Sequence, residues 1–592
     1  MLDLTLLWQM SVVSDVPSVE NLRVCDSVDL DVYLQHEAHI SVDGVLANLA
    51  PDGEYILGKP AGILIASPSN GENGEPEYLS TWTRDSSLTF KVLVELFIGG
   101  NGSLRPKIDD WVALQGKLQL LSNPSGFPNS GGLGDPRFEV DGTTAWMNWA
   151  RPQRDGPALR ATTLTLFSNW LISNGETAHV LDQVWPIISK DLAYTARYWN
   201  QTGFDLWEES WGSSFFTVAA SHRALVEGAA LAKRLGHACA LCESTSPEVL
   251  CFLQSFWTGT HITSQLNYNQ GWKHHDLDSS TIISSIHTFD PEANCDDATL
   301  QPCSSRALAN LKVTTEDFRS YKLNEGISLG KAIALGRYNA GDEYYGGNPC
   351  TSGWPRWLHA AIHQWKRIQY ITVTDVSLSF FTDLVPSIRP GRYTKGTPTY
   401  DNLLSAVRTY ADGFFAIVQK YTPQNGDLAE QFSKVDGSPL SARKLTWSYA
   451  SFLSAKLRRD GILGQSWNSA SSKLPATQCV GRPICTSLTF SLLADSIPES
   501  EQVYVVGSVD QLVTVDLPTD MPFEFKFIRK WPNQETRWQP GSNFVATSAA
   551  NCGEKVTVNS SVEWQPDQTS GAARTIIMTS GARRAIRAWF VW

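Results

Sequence analysis

From about residue 80 to residue 460 the chain repeats one theme, an amphipathic helix followed by a long loop, and that repetition restricts this region to an all-helical domain. Leu404, Val407, Ala411, Phe414 and Val418 fall at spacings of 3, 4, 3 and 4, which places them on one face of a helix. The same period recurs over 86–98, 158–172, 217–235, 247–257, 357–368 and 441–459. The loops between, among them 123–136 and 342–353, are rich in Gly, Pro, Asn and Trp. Loops of that length on a helical scaffold carry function rather than merely connect. In the fifth of these stretches, Pro355 is expected to delay the helix start to about Arg356.

Past Arg459 the period changes. A stretch over 461–483 containing Ser, Pro and Gly reads as a linker, and 486–492, 502–507, 523–529 and 555–564 alternate or run in β-branched and aromatic residues, as short strands do. The expected division is an atypical N-terminal segment (1–30), a helical domain (31–460), a short linker (461–484), a small all-β sandwich or barrel (485–566) and a tail (567–592) that fits neither domain.

Charge and hydropathy exclude several partners. The 60 acidic and 48 basic residues leave a charge of −12, and no basic stretch is interleaved with aromatics, so a nucleic-acid surface is not expected. No apolar run approaches the ~18 residues of a membrane span. Residues 4–13 could form a short signal segment, but Asp3 precedes them and the first basic residue is Arg23, so export has to be argued from elsewhere. Sequons at Asn101, Asn200 and Asn559 are compatible with N-glycosylation. Ten cysteines are present, and Cys239-Ala240-Leu241-Cys242 has no second pair at zinc-finger spacing, so local disulfides and an oxidising compartment are the better reading.

The chemistry concentrates at Asp205-Leu206-Trp207-Glu208-Glu209. An adjacent glutamate pair is ordinarily a solvated helix face. Beside an indole, however, a carboxylic acid can be kept protonated by burial, which is what a general acid requires. Two other motifs do not compete. Gly326-Ile327-Ser328-Leu329-Gly330 has no apolar strand before it, as a nucleophile elbow needs, and is expected to start a helix. His36-Glu37-Ala38-His39 is one residue short of the zinc-binding spacing.

Four segments together are specific: Ser80-Thr81-Trp82-Thr83-Arg84-Asp85, the run 149–160 that begins Trp149-Ala150-Arg151-Pro152-Gln153, the run 198–209 that ends in Glu208-Glu209, and Leu445-Thr446-Trp447-Ser448-Tyr449-Ala450. In this order they resemble the fungal glucoamylases, glycoside hydrolase family 15. The resemblance implies an (α/α)6 barrel that removes glucose from non-reducing ends of starch and maltodextrins. It implies Glu208 as general acid and Glu430 as general base, with carboxyls about 6.5 to 9.5 Å apart so that water attacks with inversion. It also implies substrate contacts from Tyr78, Arg84, Asp85, Trp149, Asp205, Leu206, Trp207, Glu209, Arg337, Tyr344 and Trp447. No metal or organic cofactor is implied, because acid, base and water suffice.

By the same resemblance Cys239 pairs with Cys242, Cys251 with Cys479, Cys295 with Cys303, and Cys485 with Cys552. The β domain resembles a starch-binding module of carbohydrate-binding module family 20, with Lys526 and Trp538 matching part of one sugar site, but it is shortened between Leu512 and Pro522. A secreted monomer follows as the expectation. The competing expectations are a non-hydrolytic α-glucan-binding protein, in which the altered loop after Pro349 has removed productive binding, and another inverting exo-glycosidase of the same barrel class.

Overall fold

The computed structural model describes residues 29–475, apart from 73, 272–275, 340–345 and 348, and beyond 475 the backbone of seven strands. In the helical unit, twelve of the described helices follow one another as six pairs. They are α1 (Leu30–Ala47) and α2 (Thr83–Ile98), α3 (Arg105–Leu118) and α4 (Asp155–Ser173), and α5 (Trp185–Tyr198) and α6 (Phe215–Arg234). The second half holds α7 (Ala240–Leu253) and α8 (Ser280–His287), α9 (Ser305–Asp317) and α10 (Pro349–Ile368), and α11 (Pro398–Tyr421) and α12 (Thr446–Arg459). Each even member packs on the next, and α12 packs back on α2. The inner helices therefore close a ring, the arrangement of an (α/α)6 barrel.

Burial follows from position in the ring. Helix α4 is buried without a break from Asp155 to Ser168, because it meets neighbours on every side. Outer helix α11 buries one stripe, Tyr400, Leu403, Val407, Tyr410, Ala411, Phe414, Phe415 and Val418, as its period predicts. Where polar groups enter the core they are paired. Arg160 on α4 grips Asp191 on α5 through two bonds, from Nε at 2.8 Å and from a terminal nitrogen at 2.6 Å, and Gln119, just past α3, adds a third donor at 2.8 Å. Both members of the pair are buried, so each charge depends on the other.

Several expectations need correction. Helix α10 begins at Pro349 and runs through Pro355 rather than starting after it. Trp354 and Trp357 are both fully buried on this helix, and the burial of two indoles outweighs a local cost of about 3 kcal/mol for an interior proline. Helix α12 begins at Thr446, not 441, because Ser441 and Lys444 take left-handed backbone (φ 64° and 48°) and hold the preceding segment as a loop. The Gly326–Gly330 segment is turn and loop, not a helix start. The helical unit also carries short strands that its sequence period does not announce, such as 203–204, 210–214 and 265–271 in one antiparallel sheet.

Cys239 and Cys242 are joined at the start of α7, and Cys295 is joined to Cys303. Cys251 is also disulfide-bonded, while Cys479, Cys485 and Cys552 lie outside the described residues. Beyond 475, Ser487–Ala494 lies between Lys555–Val562 and Arg574–Thr579 in one sheet. In the other, Pro522–Lys530 pairs with Gln502–Gly507, Arg537–Trp538 and Phe544–Thr547. The C-terminal tail thus supplies a strand of its own, consistent with the β-branched run Thr575-Ile576-Ile577.

Candidate active site

Ring topology places the N-termini of the inner helices beside the loops that carry the motifs. Trp82 caps α2, and Arg84 and Asp85 lie in its first turn. Residues 149–154 lead directly into α4, and Trp447 lies in the first turn of α12. A pocket of about 650 Å³ collects Tyr78, Trp82, Arg84, Asp85, Leu206, Trp207, Glu208, Arg337, Glu430 and Trp447, from segments distributed around the ring. Helix N-termini carry a partial positive charge, which favours the carboxylates gathered there.

Glu208 is presented by a tight turn. Its amide donates to the Asp205 carbonyl at 3.1 Å, and the Asp205 side chain accepts from the amides of Glu209 and Ser210 at 2.9 and 3.1 Å. The turn puts Glu208 at φ 67°, a conformation that costs a non-glycine residue about 1 kcal/mol and persists because the Asp205 bonds hold it. The result is that adjacent glutamates diverge. Glu208 Oε1 accepts from Trp82 Nε1 at 3.0 Å, Gln153 Nε2 at 2.9 Å and Arg84 at 3.3 Å, and Oε2 accepts from Trp149 Nε1 at 2.6 Å. Glu209 turns instead to Arg337, 2.9 Å away, and to the Tyr338 hydroxyl at 2.5 Å.

This geometry revises the roles read from the motif. The indoles whose N–H groups reach Glu208 belong to Trp82 and Trp149, whereas Trp207 directs its N–H to Asp278 at 3.0 and 3.1 Å and stacks on Trp447 with ring centroids 6.1 Å apart. Asp205 is buried with its carboxylate on backbone amides, so it braces the turn instead of lining the pocket. Trp149 stands behind Glu208, and Glu209 is engaged by Arg337. Tyr344 lies outside the described residues, as do the side chains of Lys526, Trp538 and Asn559. Asn101 is exposed, and Asn200 is half-buried beyond the end of α5.

Glu430 sits on a different support. Its amide donates to the Ala442 carbonyl at 2.7 Å, Tyr78 donates its hydroxyl to Oε1 at 3.1 Å, and Ser441 donates to Oε2. Burial raises its pKa above the ordinary glutamate value, against the opposing effects of the Ser441 hydrogen bond, the Arg337 charge and the Tyr78 hydrogen bond. Burial likewise pushes Asp85 up to about 6, opposed by the Arg84 charge and reinforced by Glu208 and Asp155. Arg84 is held by Asp155 at 3.0 Å and Gln153 at 2.8 Å, with its Nε 3.9 Å from Asp85.

Three contributors escaped the sequence reading. Trp82 and Gln153 lie inside the motifs, but nothing in their spacing marks them as donors to a carboxylate. Arg137 gave no signal at all. It pairs across two short strands with Trp82, and its guanidinium carbon lies 4.8 Å from the Trp82 ring and 4.5 Å from the Trp149 ring. Its head is fixed by Glu77 and by the Ser80 hydroxyl at 2.9 Å.

Two carboxylates, indoles and an arginine–carboxylate pair in one pocket, at the end of a helical ring, are the equipment of a glycoside hydrolase. The chain belongs to the glycosyl hydrolases family 15, whose model matches residues 39–457. A glucoamylase of Neurospora crassa is 47% identical over 485 residues, covering 80% of this chain and 76% of the relative. Glucoamylase P of Amorphotheca resinae is 45% identical, covering 82% of each. Among solved structures, a family 15 glucoamylase from Hypocrea jecorina superposes with a TM-score of 0.74 at 40% identity, covering 90% of this chain and all of that one. The Hormoconis resinae glucoamylase superposes with the same TM-score at 39% identity and 92% coverage.

Proposed function

We infer that this chain is a glucan 1,4-α-glucosidase that hydrolyses starch and related α-glucans from their chain ends. The observation that carries the mechanism is the presence of Glu208 and Glu430 in one pocket with unlike partners. Glu208 delivers a proton to the glycosidic oxygen as the C1–O bond breaks. Glu430, raised by burial, removes a proton from the water that attacks C1. Attack from the face opposite the leaving group inverts the anomeric centre and releases β-D-glucose. Arg84, Asp85 and Arg337 present paired donors and acceptors to vicinal hydroxyls of the terminal glucose, and Trp447 offers an apolar face. A pocket of this kind accepts a chain end, and α-1,6 bonds are cut more slowly than α-1,4.

Maltoheptaose incubated with the protein, with the anomeric signals followed by NMR, tests both parts. Initial β-glucose supports the reading; initial α-glucose removes the inverting pair, and no glucose removes the activity. Replacing Glu208 by Gln should abolish release while leaving maltose binding nearly intact. The reading extends to a secreted, N-glycosylated monomer whose C-terminal strands form a shortened starch-binding module, and retention of the full chain on insoluble starch at 4 °C would support that last part.

A further inference from the structure

Away from the carboxylates assigned to catalysis, Lys91, Glu95, Arg223, Arg356 and Arg458 line a small cavity with room for about one water-sized sphere. A second small cavity shares Ile286 and Arg356 with it and includes Trp447, which also lines the active-site pocket. All five charged side chains are more than nine-tenths buried. Buried charges need partners, and the ledger can be closed residue by residue. Glu95 meets Lys91 at 3.7 Å and Arg458 at 3.3 Å, and Glu227 meets Arg223 at 3.1 Å. Asp290, the remaining carboxylate nearby, is taken by Ser466 at 3.0 Å and by the Ser469 amide at 2.8 Å.

Arg356 is left over. Its guanidinium lines both cavities yet makes no hydrogen bond or ion pair among the described residues. Arg458 Nε is buried without a partner as well. Among the described residues and at formal charges, four cations face three carboxylates, one positive charge in excess; burial pushes the Lys91 pKa down against the pull of Glu95, and Arg356 remains the cation with no carboxylate of its own. We propose that the cavity at Arg356 binds a small monovalent inorganic anion of chloride's size. A divalent oxyanion would overshoot the balance, and the rest of the wall, with Leu166, Ile286 and Phe289, offers a large polyatomic ion few further donors.

Thermal melting of the full chain in sodium chloride against sodium gluconate, at matched ionic strength, reads the site, because gluconate is too large for the cavity. The wild type should melt higher in chloride, by about 1–3 °C and saturably. Arg356→Gln, which balances three cations against three carboxylates, should melt equally in both salts. If that variant does not fold, crystals of the wild type soaked in sodium bromide should show an anomalous peak beside the Arg356 guanidinium. Equal melting of the wild type in both salts, a chloride response that persists in Arg356→Gln, or the absence of that peak would overturn the proposal.

Discussion

The Tyr78 and Trp82 rings meet edge-on with centroids 5.7 Å apart, and each carries a donor to a different carboxylate: the Tyr78 hydroxyl to Glu430 and the Trp82 indole to Glu208. The contact sets the supports of the proposed acid and base side by side, although the two carboxylates come from widely separated parts of the chain.

Removing the Tyr78 hydroxyl should move the titration of the proposed base. Tyr78→Phe takes one hydrogen bond from the anionic form of Glu430, so its pKa moves further up, and the acidic limb of the kcat/KM profile shifts to higher pH. A loss of about tenfold in kcat/KM at the optimum accompanies it, the equivalent of one charged hydrogen bond. Ser441→Ala should move the limb in the same direction. A limb that stays fixed in both variants would remove Glu430 as the titrating base.

Asp85 should make stability depend on pH. Its folded value, about 6, stands above the ordinary 3.8, so the protonated form is the one the fold favours. That contribution is complete below about pH 4 and is lost as pH rises through 6. Asp85→Asn is permanently neutral. Its melting temperature relative to wild type should therefore climb between pH 4 and 7, even as glucose release falls. A gap that does not change with pH contradicts the assignment.

Arg137 should act through the two indoles. Replacing it with Met removes the cation from both rings while keeping much of its length, and should lower kcat about tenfold with KM little changed. Arg137→Lys should recover part of that loss. If the Met variant instead loses stability alone, with kcat per folded molecule intact, Arg137 is only a scaffold residue.

The Arg160–Asp191 pair sets a prediction for the ring itself. Arg160→Met leaves the buried Asp191 carboxylate without its cation and with the Gln119 amide as its remaining side-chain donor, a cost of about 3–5 kcal/mol in urea unfolding of the helical unit. The double variant Arg160→Met with Asp191→Leu should recover most of it. Failure of the second substitution to restore stability would mean that packing, not charge, dominates at this site.

The helices were legible because their apolar period is local: the stripe from Val407 to Val418 needs no knowledge of its neighbours. Ring closure was not, since the packing of α12 on α2 joins opposite ends of the unit and leaves no mark in either segment alone. The same limit applies in the site. Glu208 stood out in its motif, but the left-handed backbone that separates it from Glu209 depends on bonds to Asp205, a residue read as a substrate contact. Glu430 was identifiable only through resemblance, and Ser441, which donates to it, fell within a segment whose period resembled helix. Pro355 misled because the local rule was outweighed by the burial of Trp354 and Trp357.

Ring closure also sets when the protein can work. A nascent chain that stops short of α12 lacks the helix that meets α2, and a chain that ends before residue 430 has only one of the two proposed catalytic carboxylates. Such long-range closure is slow relative to local helix formation and comes last. Hydrolytic capacity is therefore expected to follow the synthesis of α12, and a copy that ends before that helix should release no glucose.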